Sequence, residues 1–274
     1  MLAEEHHVTF VFIMCYDKTY LTKRQISYAK RYGETTEEIE YLKEQLNKLG
    51  VAATYHASGF NHPIVPVILN ASKKIELFSW GLIPFWIKNP IEAVKISNNT
   101  INARAETMFE KAAFRESARN KRCLVLTDGF FEHHHNNAKT FPYHIKFKND
   151  DPMTMAGLWD EWTDETSGLV RRTYTIVTTS ANSLMARIHN NSKAESGPRM
   201  PLILKKEFER DWLKPISTEV DQKLIKDMIH TDYDLELEAF TVNRLRGKEI
   251  IGNVPQALQP VRYAELEETQ GSLF

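Results

Sequence analysis

The sequence predicts an α+β protein with a mixed, mainly antiparallel β core flanked by helices. Short apolar runs typical of strands recur along the 274 residues, and helical patterns lie between them at irregular intervals rather than after every strand. The composition, 42% hydrophobic and 26% charged, is that of an ordinary globular protein with enough residues for a sizeable core. We therefore expect one large domain or two closely packed ones, without repeats or flexible linkers.

Helical patterns come first along the chain. Residues 21–32 are predicted to form a short helix. Thr35 followed by Glu38 is a capping-box pattern, apolar residues then recur at helical spacing over 39–49, and Gly50 stands where a helix-ending glycine belongs. A second helix is therefore expected over 35–50.

The rest of the chain alternates strand-like and helix-like stretches. Predicted strands occupy 64–69, 75–80, 123–127, 143–147, 153–158, 173–178, 201–204 and 237–242. Predicted helices occupy 107–117, 206–213 and 219–229. The stretch after Arg246 is expected to be rich in loops, because it contains Pro255 and Pro260.

Charge and cysteine content exclude several classes of protein. The net charge of −1 provides no global attraction to nucleic acid or to an acidic membrane, so any nucleic-acid site must be a local basic cleft. Two cysteines, Cys15 and Cys123, form no disulfide framework, and a cytoplasmic location fits best. The first 13 residues carry Glu4 and Glu5 where a secretion signal would be basic, and their apolar run is too short to span a membrane.

The dipeptide Met14-Cys15 has two interpretations. Cys15 is either an ordinary buried cysteine or, if residues 1–14 are absent or removed, an N-terminal one. A terminal cysteine carries an α-amine with a pKa of about 8 beside a thiol with a pKa of about 8.5. The amine can form an imine with an aldehyde, and the thiolate can then close a five-membered thiazolidine ring.

Polar residues cluster at three further places. Asn102, Arg104 and Glu106 stand together before a predicted helix, where the alternative is a capping loop. Glu132 follows an apolar run and two aromatic residues, and desolvation there would suit a general acid or base, although an exposed residue after a turn is equally open. His189 precedes an Arg-Met-Pro segment, and a lone histidine is usually structural.

An aromatic cluster ends the strand predicted at 75–80. Trp80 begins the segment Trp-Gly-Leu-Ile-Pro-Phe-Trp. Such clusters mostly belong to the core, but an exposed tryptophan could stack on a nucleobase.

Seven motifs, taken in order, resemble the SOS-response-associated peptidase (SRAP) family, whose members sense abasic sites in single-stranded DNA. The resemblance runs from Met14 to about Pro260. The motifs are Met-Cys at 14–15, Trp-Gly-Leu-Ile-Pro-Phe-Trp at 80–86, Asn-Ala-Arg-Ala-Glu-Thr at 102–107, Asp-Gly-Phe-Phe-Glu at 128–132, Ala-Gly-Leu-Trp-Asp-Glu-Trp at 156–162, Ile-Val-Thr-Thr-Ser-Ala-Asn at 176–182, and Ile-His at 188–189 with Arg-Met-Pro at 199–201.

The resemblance implies a catalytic set in a single SRAP-like domain. Cys15, once N-terminal, would form the thiazolidine with the ring-opened sugar of an abasic site. Asn102 would position the terminal amine, Glu132 would transfer protons during ring opening and imine formation, and His189 would assist, including in reversal of the crosslink. We expect a leader over 1–14 that is cut off or wrongly assigned, a domain over 15–265 and a tail over 266–274.

The resemblance also implies the partner. Single-stranded DNA would be held by Arg104 and Arg199 at phosphates and by Trp80 at the bases. Neither a cofactor nor a metal is implied, and we expect a monomer. Tyr16 and Asp17 replace the Gly-Arg that the family usually has after Met-Cys, which leaves Lys18 as the candidate for the missing phosphate contact.

Two further departures from the family pattern stand near the catalytic set. His133, which heads a run of three histidines, replaces the usual aromatic residue after Glu132. The segment from 190 to 198 separates His189 from Arg199, and it is polar and expected to be a loop.

Three other functions remain open at this stage. A cysteine peptidase acting on proteins could use Cys15 with His189 and Glu132, and it would not need the α-amine. The histidines from His133 to His135 with Glu132 could bind zinc, although adjacent strand residues point to opposite faces. A non-catalytic binding module would leave the polar clusters unused.

Overall fold

A computed structural model gives the fold and describes residues 17–21, 37, 40, 41, 44, 53–72, 74–137, 139–191, 197–230, 235–247 and 249–267. The strands among these residues form two sheets. They are β1 (Asp17–Leu21), β2 (Ala53–Ser58), β3 (Ile64–Leu69), β4 (Ile75–Trp80), β5 (Asn102–Arg104), β6 (Arg122–Thr127), β7 (Gly129–Asn136), β8 (Lys139–Phe147), β9 (Met153–Thr163), β10 (Val170–Ser180), β11 (Arg199–Pro201) and β12 (Leu237–Thr241).

Helices cover the ends and sides of the sheets. The α-helices are α1 (Pro90–Asn99), α2 (Arg115–Asn120), α3 (Ser183–Ile188), α4 (Lys206–Trp212), α5 (Glu219–His230) and α6 (Ala264–Glu267). Two 3₁₀ helices, Gly59–Asn61 and Pro255–Leu258, are also present, and the described residues 37, 40, 41 and 44 are helical. None of the helices described is long and apolar enough to cross a membrane.

The larger sheet closes into a barrel. Its strands are paired in the order β10-β4-β3-β6-β9, and β9 pairs again with β10. The pairings are antiparallel except for β10 with β4, and β6 is buried along its whole length because it lies between β3 and β9. The second half of β10 continues beyond the barrel to pair with β5 and β11. Residues at the end of β10 therefore lie beside two short strands at one end of the barrel.

The smaller sheet has the strand order β12-β8-β7-β1-β2. One face of β7 packs against the barrel in a single apolar cluster, which contains Phe130 of β7 and Val125 of β6. The opposite face of β7 carries Phe131, which packs in a separate cluster with Val242 and Leu245. Side chains of β7 thus alternate between the shared core and an outer cluster.

The predicted α+β class with a mainly antiparallel core is confirmed. The strands predicted at 64–69 and 75–80 match β3 and β4, and those predicted from 123 to 178 and at 237–242 lie within or largely on observed strands. The predicted helices at 206–213 and 219–229 match α4 and α5.

Four local predictions need correction or lie wholly or partly outside the described residues. The strand expected at 201–204 is β11, which ends at Pro201, and most of 107–117 forms turns, with α2 beginning only at Arg115. Leu21 lies in β1 rather than in a helix, and residues 22–32 are outside the described residues. Of the helix predicted over 35–50, the described residues 37, 40, 41 and 44 are helical.

Candidate active site

Glu132 lies on the face of β7 that points toward the barrel. It shares that face with Phe130, two residues earlier, and it is buried, with only 6% of its surface exposed. The backbone N–H of His133 donates to its Oε1 at 2.8 Å. A buried carboxylate is costly without polar partners, so this contact and the one described next account for its place in the fold.

His189 reaches Glu132 from the end of α3. This helix follows β10 after a short turn, and the Asn182 side chain caps it by accepting a hydrogen bond from the N–H of Met185 at 2.9 Å. His189 ends the helix, with its N–H donating to the Met185 carbonyl at 2.7 Å. Its Nδ1 lies 3.0 Å from Oε2 of Glu132.

The pair has the composition of a proton-transfer site. The Glu132 and His189 side chains are both 8% exposed. Nδ1 of His189 is close enough to the Glu132 carboxylate to pair with it when the ring is protonated, and Nε2 is buried with no hydrogen-bond partner among the described residues, so a proton can enter or leave the ring through Nε2. The structure brings these two predicted residues together.

Asn102 and Arg104 lie on β5, beside the last part of β10. Asn102 is opposite Ile176 and Arg104 is opposite Thr178. Asn102 is buried, whereas Arg104 is exposed. Both predicted residues therefore flank the strand that leads into α3 and His189.

Arg199 differs from Arg104 in its surroundings. It begins β11 opposite Ser180, is 4% exposed, and forms two bonds with the Glu106 carboxylate, at 2.9 Å from Nη1 and 2.6 Å from Nη2. Nη2 also donates to the Thr178 carbonyl at 2.8 Å. A phosphate would have to displace Glu106 to reach this guanidinium, so the direct contact predicted for Arg199 stays a prediction that its burial disfavours.

Both arginines lower the pKa of the Glu106 carboxyl. Partial burial by itself would raise its pKa, but the hydrogen bond from Arg199 and the charges of Arg199 and Arg104 outweigh burial and lower its pKa below the usual value. Glu106 is therefore a permanent anion at neutral pH. It keeps Arg199 in place at the edge of the barrel.

The prediction that Trp80 contacts bases is wrong. Trp80 is fully buried, its Nε1 donates to the Ile101 carbonyl at 2.8 Å, and its ring stacks on Tyr174. The segment does expose aromatic rings at its other end, where Phe85 is 52% and Trp86 43% exposed. Sequence alone did not separate these positions, since a tryptophan stands at each end of the segment.

Cys15 lies outside the described residues, but the strand that follows it is defined. Lys18 is in β1 opposite Phe130, and Asp17 is opposite Phe131, the residue before Glu132. The chain that carries Cys15 therefore enters the smaller sheet beside the candidate site.

The histidine run contacts the chain around His189. Nδ1 of His134 lies 3.1 Å from the Arg187 carbonyl. The side chain of Asn190 bonds to both backbone polar groups of His135, accepting from its N–H at 2.7 Å and donating to its carbonyl at 2.8 Å. Sequence reasoning assigned Asn190 only to a polar loop, and no motif signalled this contact. Among the residues with described positions, no group of three or more metal-ligating side chains converges.

Comparisons with known proteins identify the family of the chain. The SOS response associated peptidase (SRAP) family matches residues 14–248. The abasic site processing protein YoqW of Bacillus subtilis is 38% identical over 179 residues, covering 64% of this chain and 72% of the relative. The abasic site processing protein HMCES of Gallus gallus is 31% identical over 215 residues, covering 70% of this chain and 59% of the relative.

A solved structure shares the fold. The crystal structure of a protein from Bacteroides thetaiotaomicron superposes with a TM-score of 0.76 at 33% identity, covering 90% of this chain and all of that one. With a family match over most of its length, the chain belongs to the SRAP family.

Proposed function

We propose that this protein processes abasic sites in single-stranded DNA by forming a covalent thiazolidine crosslink through Cys15 as its N-terminal residue. The relatives named abasic site processing proteins support the substrate. The observation that carries the proposal is the buried pair of Glu132 and His189, 3.0 Å apart at the end of the sheet that β1 enters. The protein would work in the cytoplasm as a monomer, with its domain over 15–265.

Chain connectivity supports a position of Cys15 near this pair. Asp17 is opposite Phe131, the neighbour of Glu132 on β7. Two residues of chain span at most about 7 Å, so Cys15 cannot lie farther than that from the start of β1. Asn102, buried on β5 beside the same end of the barrel, is the amide proposed to orient the Cys15 amine.

The reaction balances without a cofactor. The Cys15 amine adds to the aldehyde of the ring-opened sugar, and loss of one water gives an imine. The thiolate then adds to the imine carbon, forming the C–S bond, while the nitrogen takes up a proton. Glu132 would move protons to and from the sugar oxygen and the amine, and His189 would pass protons through Nε2. The reverse sequence would release the DNA.

We assign the proposed DNA contacts to side chains that are exposed. Arg104 is exposed on β5 and offers a guanidinium fork to a phosphate next to the lesion. Phe85 and Trp86, rather than Trp80, offer exposed rings on which bases could stack. Lys18 remains the proposed substitute for the missing family arginine.

The leader must be absent for this chemistry. With residues 1–14 attached, the nitrogen of Cys15 is an amide and cannot form an imine. Either translation starts at Met14 and methionine is removed, or the Cys15 thiol attacks the Met14 carbonyl with help from Glu132 and His189. In the second route the peptide C–N bond breaks to free the Cys15 amine, and water then hydrolyses the resulting thioester and releases the leader, so that peptidase chemistry would be confined to self-removal of preceding residues. The family match starts at Met14, which favours the first route.

The experiment compares the two cysteines. Protein with a terminal Cys15 is incubated with abasic single-stranded DNA and resolved on a denaturing gel. Cys15→Ala should abolish the durable crosslink, whereas Cys123→Ala, a change within the fully buried strand β6, should leave it intact. Equal crosslinking by Cys15→Ala and the wild type would reject the mechanism.

The same assay separates the rival function. A cysteine peptidase acting on other proteins needs the thiol but not the amine. Selective blocking of the α-amine should abolish crosslinking under our proposal, and it would leave proteolysis of a peptide substrate unchanged under the alternative.

A further inference from the structure

We propose that Asn190 is a positioning residue, which binds the edge of β7 in place of a neighbouring strand and thereby holds His189 against Glu132. This inference rests on the proposed function for its catalytic consequence, but its structural content can be tested separately. It assigns a role to the first residue of the segment that separates His189 from the Arg-Met-Pro motif.

The two hydrogen bonds of Asn190 imitate strand pairing. A side-chain amide presents one acceptor and one pair of donors, and Asn190 uses one of each on the N–H and carbonyl of the same residue, His135, at 2.7 and 2.8 Å. In an antiparallel sheet, one residue of a neighbouring strand makes the same two bonds. Asn190 therefore makes at His135 the two bonds that a residue of a paired strand would make.

The position lies on the β1 side of β7. His133 is opposite Pro142 of β8, which has no N–H, and the Pro142 carbonyl accepts from the N–H of Val242, on the side away from β7. The backbone groups of His133 thus point away from β8, and those of His135, two residues on, point the same way. The described pairing of β1 with β7 reaches only Phe131.

A second contact fixes the other side of His189. Nδ1 of His134 donates to the carbonyl of Arg187 at 3.1 Å. Residues 187 and 190 are thus bound to consecutive residues of β7, and His189 lies between them. Loss of the Asn190 contact would free the chain on one side of the imidazole, and misplacement of a catalytic group by about 1 Å can cost up to about 10²-fold in rate.

The catalytic test is a double-mutant cycle measured by single-turnover crosslinking. Asn190→Ala should slow the reaction by about tenfold or more, and Asn190→Asp, which keeps the acceptor and loses the donor, should be intermediate. In a His189→Ala background, Asn190→Ala should cause no further loss, because both changes act through the same imidazole. Asn99→Ala, at an exposed position on α1, is the matched control.

The outcomes separate the inference from the proposed function. A general loss of folding would slow the His189→Ala background as well, and additive losses would overturn the positioning role. Failure of the wild type to crosslink would reject the proposed function instead. Hydrogen exchange decides the structural claim in that case, since the His135 amide should be protected in the wild type and lose protection in Asn190→Ala. Unchanged protection would overturn the inference.

Discussion

Two buried histidines lie on opposite sides of the β7–β8 hairpin and face different surroundings. His189, 7% exposed, reaches the inner face of β7 and meets the carboxylate of Glu132 at 3.0 Å. His144, 4% exposed, lies on β8 and packs on the outer side, with its ring 4.9 Å from that of Phe131 and 5.5 Å from that of Phe240.

The difference shows that burial alone does not mark a functional histidine. Neither ring nitrogen of His144 has a hydrogen-bond partner among the described residues, and burial, reinforced by the charge of Lys146 against that of Asp150, lowers its pKa to about 4. His144 is therefore a neutral ring of the outer core. His189 likewise has no hydrogen-bond partner at either ring nitrogen among the described residues, but it differs from His144 because a carboxylate lies 3.0 Å from its Nδ1.

The largest effect should come from breaking the inner pair. Glu132→Gln and His189→Ala should each slow crosslinking by roughly 10²-fold or more, the usual range for a general acid or base. His144→Leu replaces the outer histidine by an apolar side chain and should crosslink as the wild type does. The measurement is the single-turnover rate, and unchanged rates in the first two variants would remove them from the mechanism.

The outer histidine should instead control stability in acid. An unfolded histidine has a pKa of about 6.5, so between that value and the folded pKa of about 4 the unfolded chain binds more protons than the folded one. Stability rises with pH in this window and is lost as pH falls through it, by about 3 kcal/mol in total. His144→Leu should remove this part of the pH dependence in denaturant unfolding.

This prediction is checked by measuring unfolding of both proteins across the same pH range. The stability difference between the wild type and His144→Leu should change between about pH 6.5 and pH 4. A difference that stays constant across that window would show that His144 is protonated equally in both states.

The two arginines of the site also differ in exposure, and substituting them should have smaller effects than substituting the inner pair. Arg104 is exposed, so Arg104→Ala should weaken DNA binding at all sequences and reduce the salt slope by about 1 unit. Arg199 is held by Glu106, so Arg199→Ala should chiefly lower the melting temperature. The same loss of salt slope in a well-folded Arg199→Ala variant would mean that DNA displaces Glu106.

Much of the fold was accessible from sequence because strand signals such as 64–69 and 75–80 are continuous apolar runs. Elements without such a signal were not predicted: β5 has only three residues, and the second half of β7 contains a run of three histidines. Their strand conformation depends on pairing with β10 and β8, which is a property of the tertiary structure.

Site residues could be predicted from the sequence where a motif assigns a chemical role to one residue. Glu132 and His189 were identified by motif, and the structure places them in contact. Exposure was not predictable, since nothing in the order of letters distinguishes buried Trp80 from exposed Trp86. The Asn190 contact joins residues 55 positions apart and follows only from the packing of α3 on β7.

The most direct test of the central claim compares the full chain with a form that starts at Met14, by intact mass and by crosslinking to abasic single-stranded DNA. The account predicts that any molecule that crosslinks begins at Cys15, and that a chain retaining all 14 preceding residues is inactive. A chain that keeps those residues and still crosslinks as fast as the short form would contradict the terminal-cysteine mechanism.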